Sequence, residues 1–136
     1  MLRILVAEDN PADVFLIQRA LKQHDIEHEL HLVRDGAEAL EFVAKMGSPG
    51  GSPCPDVVLL DMNLPMVDGL EVLRQLRTRP GFGDTPVIVV TSSDAPTDRA
   101  RMAELGIARY FRKPTDFKAF LELGAIVREV TAHQAR

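Results

Sequence analysis

Apolar strand-like runs alternate with segments of helical period along the chain, and this alternation constrains the fold more than any other feature. Strands that need covering on both faces, each followed by a helix, are the pattern of a parallel sheet wrapped by helices. The strands are expected at Arg3 to Ala7, Glu29 to Val33, Val57 to Leu60, Val87 to Val90 and a short Arg109 to Phe111. The third and fourth runs are uniformly apolar, as befits strands buried on both faces. Glu29-Leu30-His31-Leu32-Val33 alternates and belongs at an edge.

Helix one opens at Asn10 as cap, with Pro11 in the first helical position and Asp13 in the first turn, and runs to about Gln23. These are favoured there by backbone geometry and by the helix dipole. Helix two follows Asp35-Gly36 with Ala37, Leu40 and Ala44 as its apolar stripe, and helix three follows Asp68-Gly69 with Leu70, Leu73 and Leu76. Helix four covers about Pro96 to Leu105 and stops at Gly106, and helix five begins near Asp116. The Gly- and Pro-rich stretch from Lys45 to Pro55 excludes regular structure and reads as an exposed insertion or a partner-contact loop.

At 136 residues the chain is expected to form a single domain, 1–136, with a core over about 2–130, a short tail and no effector domain. No apolar run approaches the roughly 18 residues of a membrane span. The opening apolar run stops at Glu8-Asp9 and is a strand, not a signal, so a cytoplasmic location is expected. A net charge of -4 with scattered basic residues argues against nonspecific nucleic-acid binding. Cys54, the lone cysteine, sits between two prolines with no base nearby to activate it.

What the strand ends carry is the functional signal. Strand one ends in Glu8-Asp9, strand three in Asp61, strand four in Thr91-Ser92-Ser93, and strand five leads to Lys113-Pro114. Parallel strands deliver their carboxyl ends to one rim, so these groups converge there. Taken singly each has a plainer reading: a turn acid, a helix cap or a solvated lysine. Only their joint arrival overturns it. The histidines at 24, 28, 31 and 133 are not at strand ends and read as surface residues.

These residues resemble a receiver domain of a two-component response regulator of the chemotaxis-receiver type. The resemblance covers Leu2 to about Val130. It rests on the pair Glu8-Asp9, the stretch Asp61-Met62-Asn63-Leu64-Pro65-Met66-Val67-Asp68-Gly69, Thr91, Tyr110 and Lys113-Pro114. It implies a flavodoxin-like doubly wound (βα)5 fold with a five-stranded sheet in the order 2-1-3-4-5. It also implies Asp61 as phosphoacceptor and Mg2+ as cofactor, bound by Asp9 and Asp61 directly, by Glu8 through water, and by the backbone carbonyl of Asn63. Lys113 and Thr91 would contact the phosphoryl oxygens. Thr91 and Tyr110 would form a switch, and the bond before Pro114 would be cis.

The chemistry fits the residue types. Glu8 and Asp9 repel both the Asp61 charge and an incoming phosphoryl group, a conflict that a hard divalent cation resolves. Shifting a two-state equilibrium from roughly 1:99 to 99:1 takes about 5.5 kcal/mol. A charge-assisted hydrogen bond supplies about 1.5 to 3, so Thr91 and Lys113 must act together. An aspartyl phosphatase would keep a second acid two positions after its nucleophile, where this chain has Asn63. A flavin module would need a phosphate cradle where Glu8-Asp9-Asn10-Pro11 stands. A receiver-shaped module that binds partners without phosphorylation is the remaining alternative.

On this reading the chain is not an enzyme beyond weak self-phosphorylation and autodephosphorylation. The opening Ala7 to Ile17 and the Gly/Pro loop are similar to regulators paired with bacterial phytochrome histidine kinases. The implied partner is a sensor histidine kinase, a bacteriophytochrome, docking on helix one with Val14 and Ile17. Helix five, with Phe117, Phe120, Leu121, Leu123, Ile126, Val127 and Val130, carries more apolar surface than one stripe requires, so a homodimer through it is expected.

Overall fold

The computed structural model describes residues 1–93 and 95–132, so His133 lies outside the described residues. The strands are β1 (Leu2–Ala7), β2 (His28–Val33), β3 (Val57–Leu60), β4 (Val87–Thr91) and β5 (Arg109–Arg112). They form one parallel sheet in the order β2-β1-β3-β4-β5. The helices are α1 (Pro11–Gln23), α2 (Gly36–Ala44), α3 (Gly69–Thr78), α4 (Pro96–Glu104), α5 (Phe117–Phe120) and α6 (Leu123–Val130). The alternating β2 is an edge strand, as its sequence requires.

Side chains leave the central strands on alternate faces and build two cores. Leu5, Ala7, Val58, Leu60, Val87 and Val89 meet Ala39 and Val43 of α2, Val72, Leu73 and Leu76 of α3, and Met102 of α4. Ile4, Val6, Val57, Leu59, Ile88 and Val90 meet Ile17, Ala20 and Leu21 of α1 with Phe120, Leu123 and Val127 of α5 and α6. Each fully buried Val, Leu, Ile, Phe or Met side chain among these contributes about 1.5 to 3 kcal/mol. No helix among the described residues is long and apolar enough to cross a membrane.

The structure corrects several local expectations. The buried stripe of α2 is Gly36, Ala39 and Val43, while Ala37 and Ala44 are exposed. The last helix is two pieces, joined by a turn in which Glu122 N–H bonds to Ala119 O and Gly124 N–H to Leu121 O, three residues back. Gly124 then presses against α1, where a Cβ would stand 2.3 Å from Ala20 O. The apolar surplus read from this region lies largely inside the molecule: Phe120, Leu123 and Val127 are buried, Leu121, Ile126 and Val130 pack beside them, and Phe117 is exposed. Ile17 is also buried, which removes it from any docking surface.

The Lys45–Pro55 stretch is tied to the body. Met46 is fully buried and its carbonyl accepts from Arg79 Nη2 at 2.8 Å. Gly47 has φ 77° and sits under the Phe82 ring, where a side chain would meet both strain and a clash.

Candidate functional site

Strand register fixes the site. Ala7 pairs with Leu60, and Asp61 N–H donates to Ala7 O at 3.1 Å, so Glu8 and Asp61 emerge side by side at the rim. Lys113 N–H donates to Thr91 O at 2.8 Å, which carries the lysine in from β5. Behind Asp61, Gly69 opens α3 so close to the strand end that a Cβ there would lie 2.3 Å from Asp61 O. Asp68 caps that helix by accepting from Glu71 N–H.

Glu8, Asp9 and Asp61 each offer a carboxylate oxygen within 4.8 Å of the others. Glu8 and Asp61 are buried and Asp9 is exposed. Lys113 Nζ lies 2.7 Å from Glu8 Oε1, 2.8 Å from Asp13 Oδ2 and 3.0 Å from Asp61 Oδ2. The approach to Glu8 Oε1 is a charge contact; among the described residues that oxygen has no aligned hydrogen-bond donor. Burial pushes the Glu8 carboxyl up to about 7, with the Asp61 charge adding to the rise and Lys113 opposing it. Burial works against the Lys113 charge, but the hydrogen bonds to Asp13 and Asp61 and the close contact with Glu8 outweigh it and raise its pKa.

The remaining expected residues occupy a second arrangement beside the first. Thr91 is fully buried and its Oγ1 accepts from Ser93 N–H at 3.2 Å. Tyr110, half-buried on β5, donates its hydroxyl to Ser93 O at 2.6 Å, and the Arg99 guanidinium lies 4.5 Å from its ring centre. One residue's backbone therefore joins Thr91 to Tyr110. Asn63 N–H donates to Asp61 Oδ1 at 3.0 Å and its side chain is exposed.

One expectation is overturned. The Lys113–Pro114 bond is trans, since the described residues contain no cis peptide. Trans is the lower-energy isomer by about 0.5 to 1 kcal/mol, and Nζ reaches all three carboxylates from it. Two participants were missed from the sequence: Asp13, read only as a dipole partner, and the Ser93 backbone, which no side-chain pattern reveals. His24 and His28 bond to the carbonyls of Leu121 and Ile26 and His31 to the Glu29 carboxylate, none of them to Glu8, Asp9 or Asp61.

An all-oxygen set of three clustered carboxylates, one with a buried oxygen lacking an aligned donor, fits a hard divalent cation. The response regulator receiver domain family matches residues 4–124. The chain belongs to that family. Response regulator Rcp1 of Synechocystis sp. is 38% identical over 120 residues, covering 88% of this chain and 82% of that protein. The crystal structure of the phosphorylated cyanobacterial phytochrome response regulator RcpA is similar at a TM-score of 0.87 and 32% identity, covering 99% of this chain and 96% of that one. The Mn2+-bound form of Rcp1 is similar at 0.84 and 36%, covering 95% and 93%.

Proposed function

We propose that this receiver accepts a phosphoryl group on Asp61 from a sensor histidine kinase and passes the event on by a change of shape. The observation that carries the reading is Lys113, whose ammonium lies 3.0 Å from Asp61 Oδ2 in a site where Glu8 and Asp9 complete an oxygen cluster. In the step itself, an Asp61 carboxylate oxygen forms the bond to phosphorus as the phosphorus–nitrogen bond of a phosphohistidine breaks. The departing imidazole keeps the bond's electron pair and takes up a proton. Asn63 has no carboxylate to take a proton from a hydrolytic water, so loss of the group is slow.

Asp9 and Asp61 would hold Mg2+ directly, with Glu8 through water and the Asn63 carbonyl as a further ligand. When bound, the cation supplies positive charge that lets phosphoryl oxygens approach three carboxylates. Lys113 balances the transferred charge. The Thr91 hydroxyl, on turning to donate to a phosphoryl oxygen, withdraws an acceptor from Ser93 N–H, and the Ser93 carbonyl is what holds Tyr110. The site chemistry thereby reaches the β4–α4 loop and β5.

For the partner we propose a phytochrome-type kinase in the cytoplasm, supported by the similarity to RcpA. Beside the carboxylates, Val14 and exposed Phe15 of α1 line a hollow with Glu8 and Asp9 where a kinase could dock. A homodimer belongs to the same reading, with Phe117 as its exposed apolar contact. A monomer mass in light scattering of concentrated protein, before and after phosphorylation, would remove it. The central test is incubation with acetyl phosphate and Mg2+. The wild type should gain the mass of one phosphoryl group, and an equal gain in Asp61→Asn would exclude Asp61 as acceptor.

A further inference from the structure

Building on the reading of Asp61 as phosphoacceptor, we propose that Asp13 is the positioning residue of Lys113, tethering its ammonium to α1 and aiming it at the phosphoryl group. An ammonium has three N–H donors, and three carboxylate oxygens surround this one: Glu8 Oε1 at 2.7 Å, Asp13 Oδ2 at 2.8 Å and Asp61 Oδ2 at 3.0 Å. The three differ in what else they must do. Glu8 and Asp61 belong with Asp9 to the oxygen cluster that fits a cation, and Asp13 does not. Once Asp61 carries a phosphoryl group its carboxylate charge is gone, and the donor that faced it turns to a phosphoryl oxygen. Asp13 is the contact that needs no change.

Its placement suits a tether. Asp13 stands in the first turn of α1, where Cα–Cβ bonds tilt toward the helix start and so toward the rim. The backbone holds that turn through Asp13 N–H to Asn10 O at 3.1 Å. Lys113 is 100 positions away on a four-carbon stem with several rotatable bonds, and both side chains are largely withdrawn from water. Without Asp13 the stem regains freedom that must be lost again each time the phosphoryl oxygens are met.

The test compares wild type with Asp13→Ala, Asp13→Asn and Asp13→Glu for the rate of phosphorylation by acetyl phosphate with Mg2+, at a temperature where all are folded by circular dichroism. Asp13→Ala should be slower by about tenfold, the worth of one charge-assisted hydrogen bond. Asp13→Asn, which keeps an acceptor, should fall between, and Asp13→Glu should recover part of the loss. The Lys113 ammonium signal in 15N NMR, protected from solvent exchange in the wild type, should broaden in Asp13→Ala. A wild-type rate in Asp13→Ala with an unchanged signal would overturn the tether. So would faster acceptance by Asp13→Asn, because Asp13 would then act only by repelling the donor. Absence of uptake by the wild type, or uptake by Asp61→Asn, would instead strike the reading of Asp61.

Discussion

Lys113 Nζ and Asp61 Oδ2 lie 3.0 Å apart although 52 positions separate the two residues, and the same nitrogen is 2.7 Å from Glu8. Deleting the ammonium leaves the carboxylates of Glu8, Asp13 and Asp61 without the charge between them, and Glu8 is only 2% exposed. Removing one partner of a buried pair costs roughly 3 to 5 kcal/mol, but a proton on Glu8 can relieve it. Lys113→Ala should therefore lose roughly 3 kcal/mol of stability near pH 8 and much less near pH 5.5. Urea denaturation at both pH values checks this. Equal losses would mean that Glu8 never takes the proton.

The wild type carries a related pH dependence. In metal-free protein, burial lifts the Glu8 carboxyl from 4.5 to about 7. Because the folded state holds this proton more tightly than the unfolded one, the contribution is fully present below about pH 4.5 and lost as pH rises through 7. A cation needs the carboxylate, so Mg2+ affinity should rise over that window with release of a proton. Titration calorimetry in two buffers of different ionisation enthalpy should show close to one proton released near pH 6 and little near pH 8.5. Identical heats in both buffers near pH 6 would show Glu8 already ionised.

These groups were legible in the sequence to different degrees, for physical reasons. Glu8, Asp9, Asp61 and Lys113 were found because a parallel sheet sends every strand end to one rim, so position along a strand is enough to place them. Asp13 was not, because an acid in a first turn already has a local explanation in the helix dipole, and that explanation says nothing about a lysine 100 positions on. The stripe of α2 was misplaced because alanine lies on both faces of that helix and offers no contrast: Ala39 is buried and Ala37 exposed. The break between α5 and α6 was hidden by an apolar run that looks continuous until Gly124 meets the Ala20 carbonyl.

Tyr110 would be an intrinsic reporter of the proposed switch, since the chain has one tyrosine and no tryptophan. Its hydroxyl is held at 2.6 Å by the Ser93 carbonyl, in the loop two residues beyond Thr91 at the end of β4. Beryllofluoride with Mg2+, which mimics the phosphoryl group, should change tyrosine emission in the wild type. In Thr91→Ala the change should be largely lost, because no hydroxyl is left to move the loop. Fluorescence titration of both proteins measures it, and an equal response in the variant would separate Tyr110 from Thr91.

Arg77 holds the opposite end of the α4–β5 region. Its guanidinium donates to the carbonyls of Leu105 at 2.8 Å, Gly83 at 3.1 Å, Thr85 at 2.8 Å and Gly106 at 2.6 Å, joining α3 to the segments that enter β4 and β5. Four acceptors arranged around one planar fork suit arginine and not the compact ammonium of lysine. The site is partly open to water, so the carbonyls released by truncation are partly rehydrated. Arg77→Ala should cost about 2 to 3 kcal/mol, and Arg77→Lys should recover less than half of it. Urea unfolding of the three proteins decides between geometry and charge: full recovery in Arg77→Lys would show that a positive charge at this position is all the fold requires.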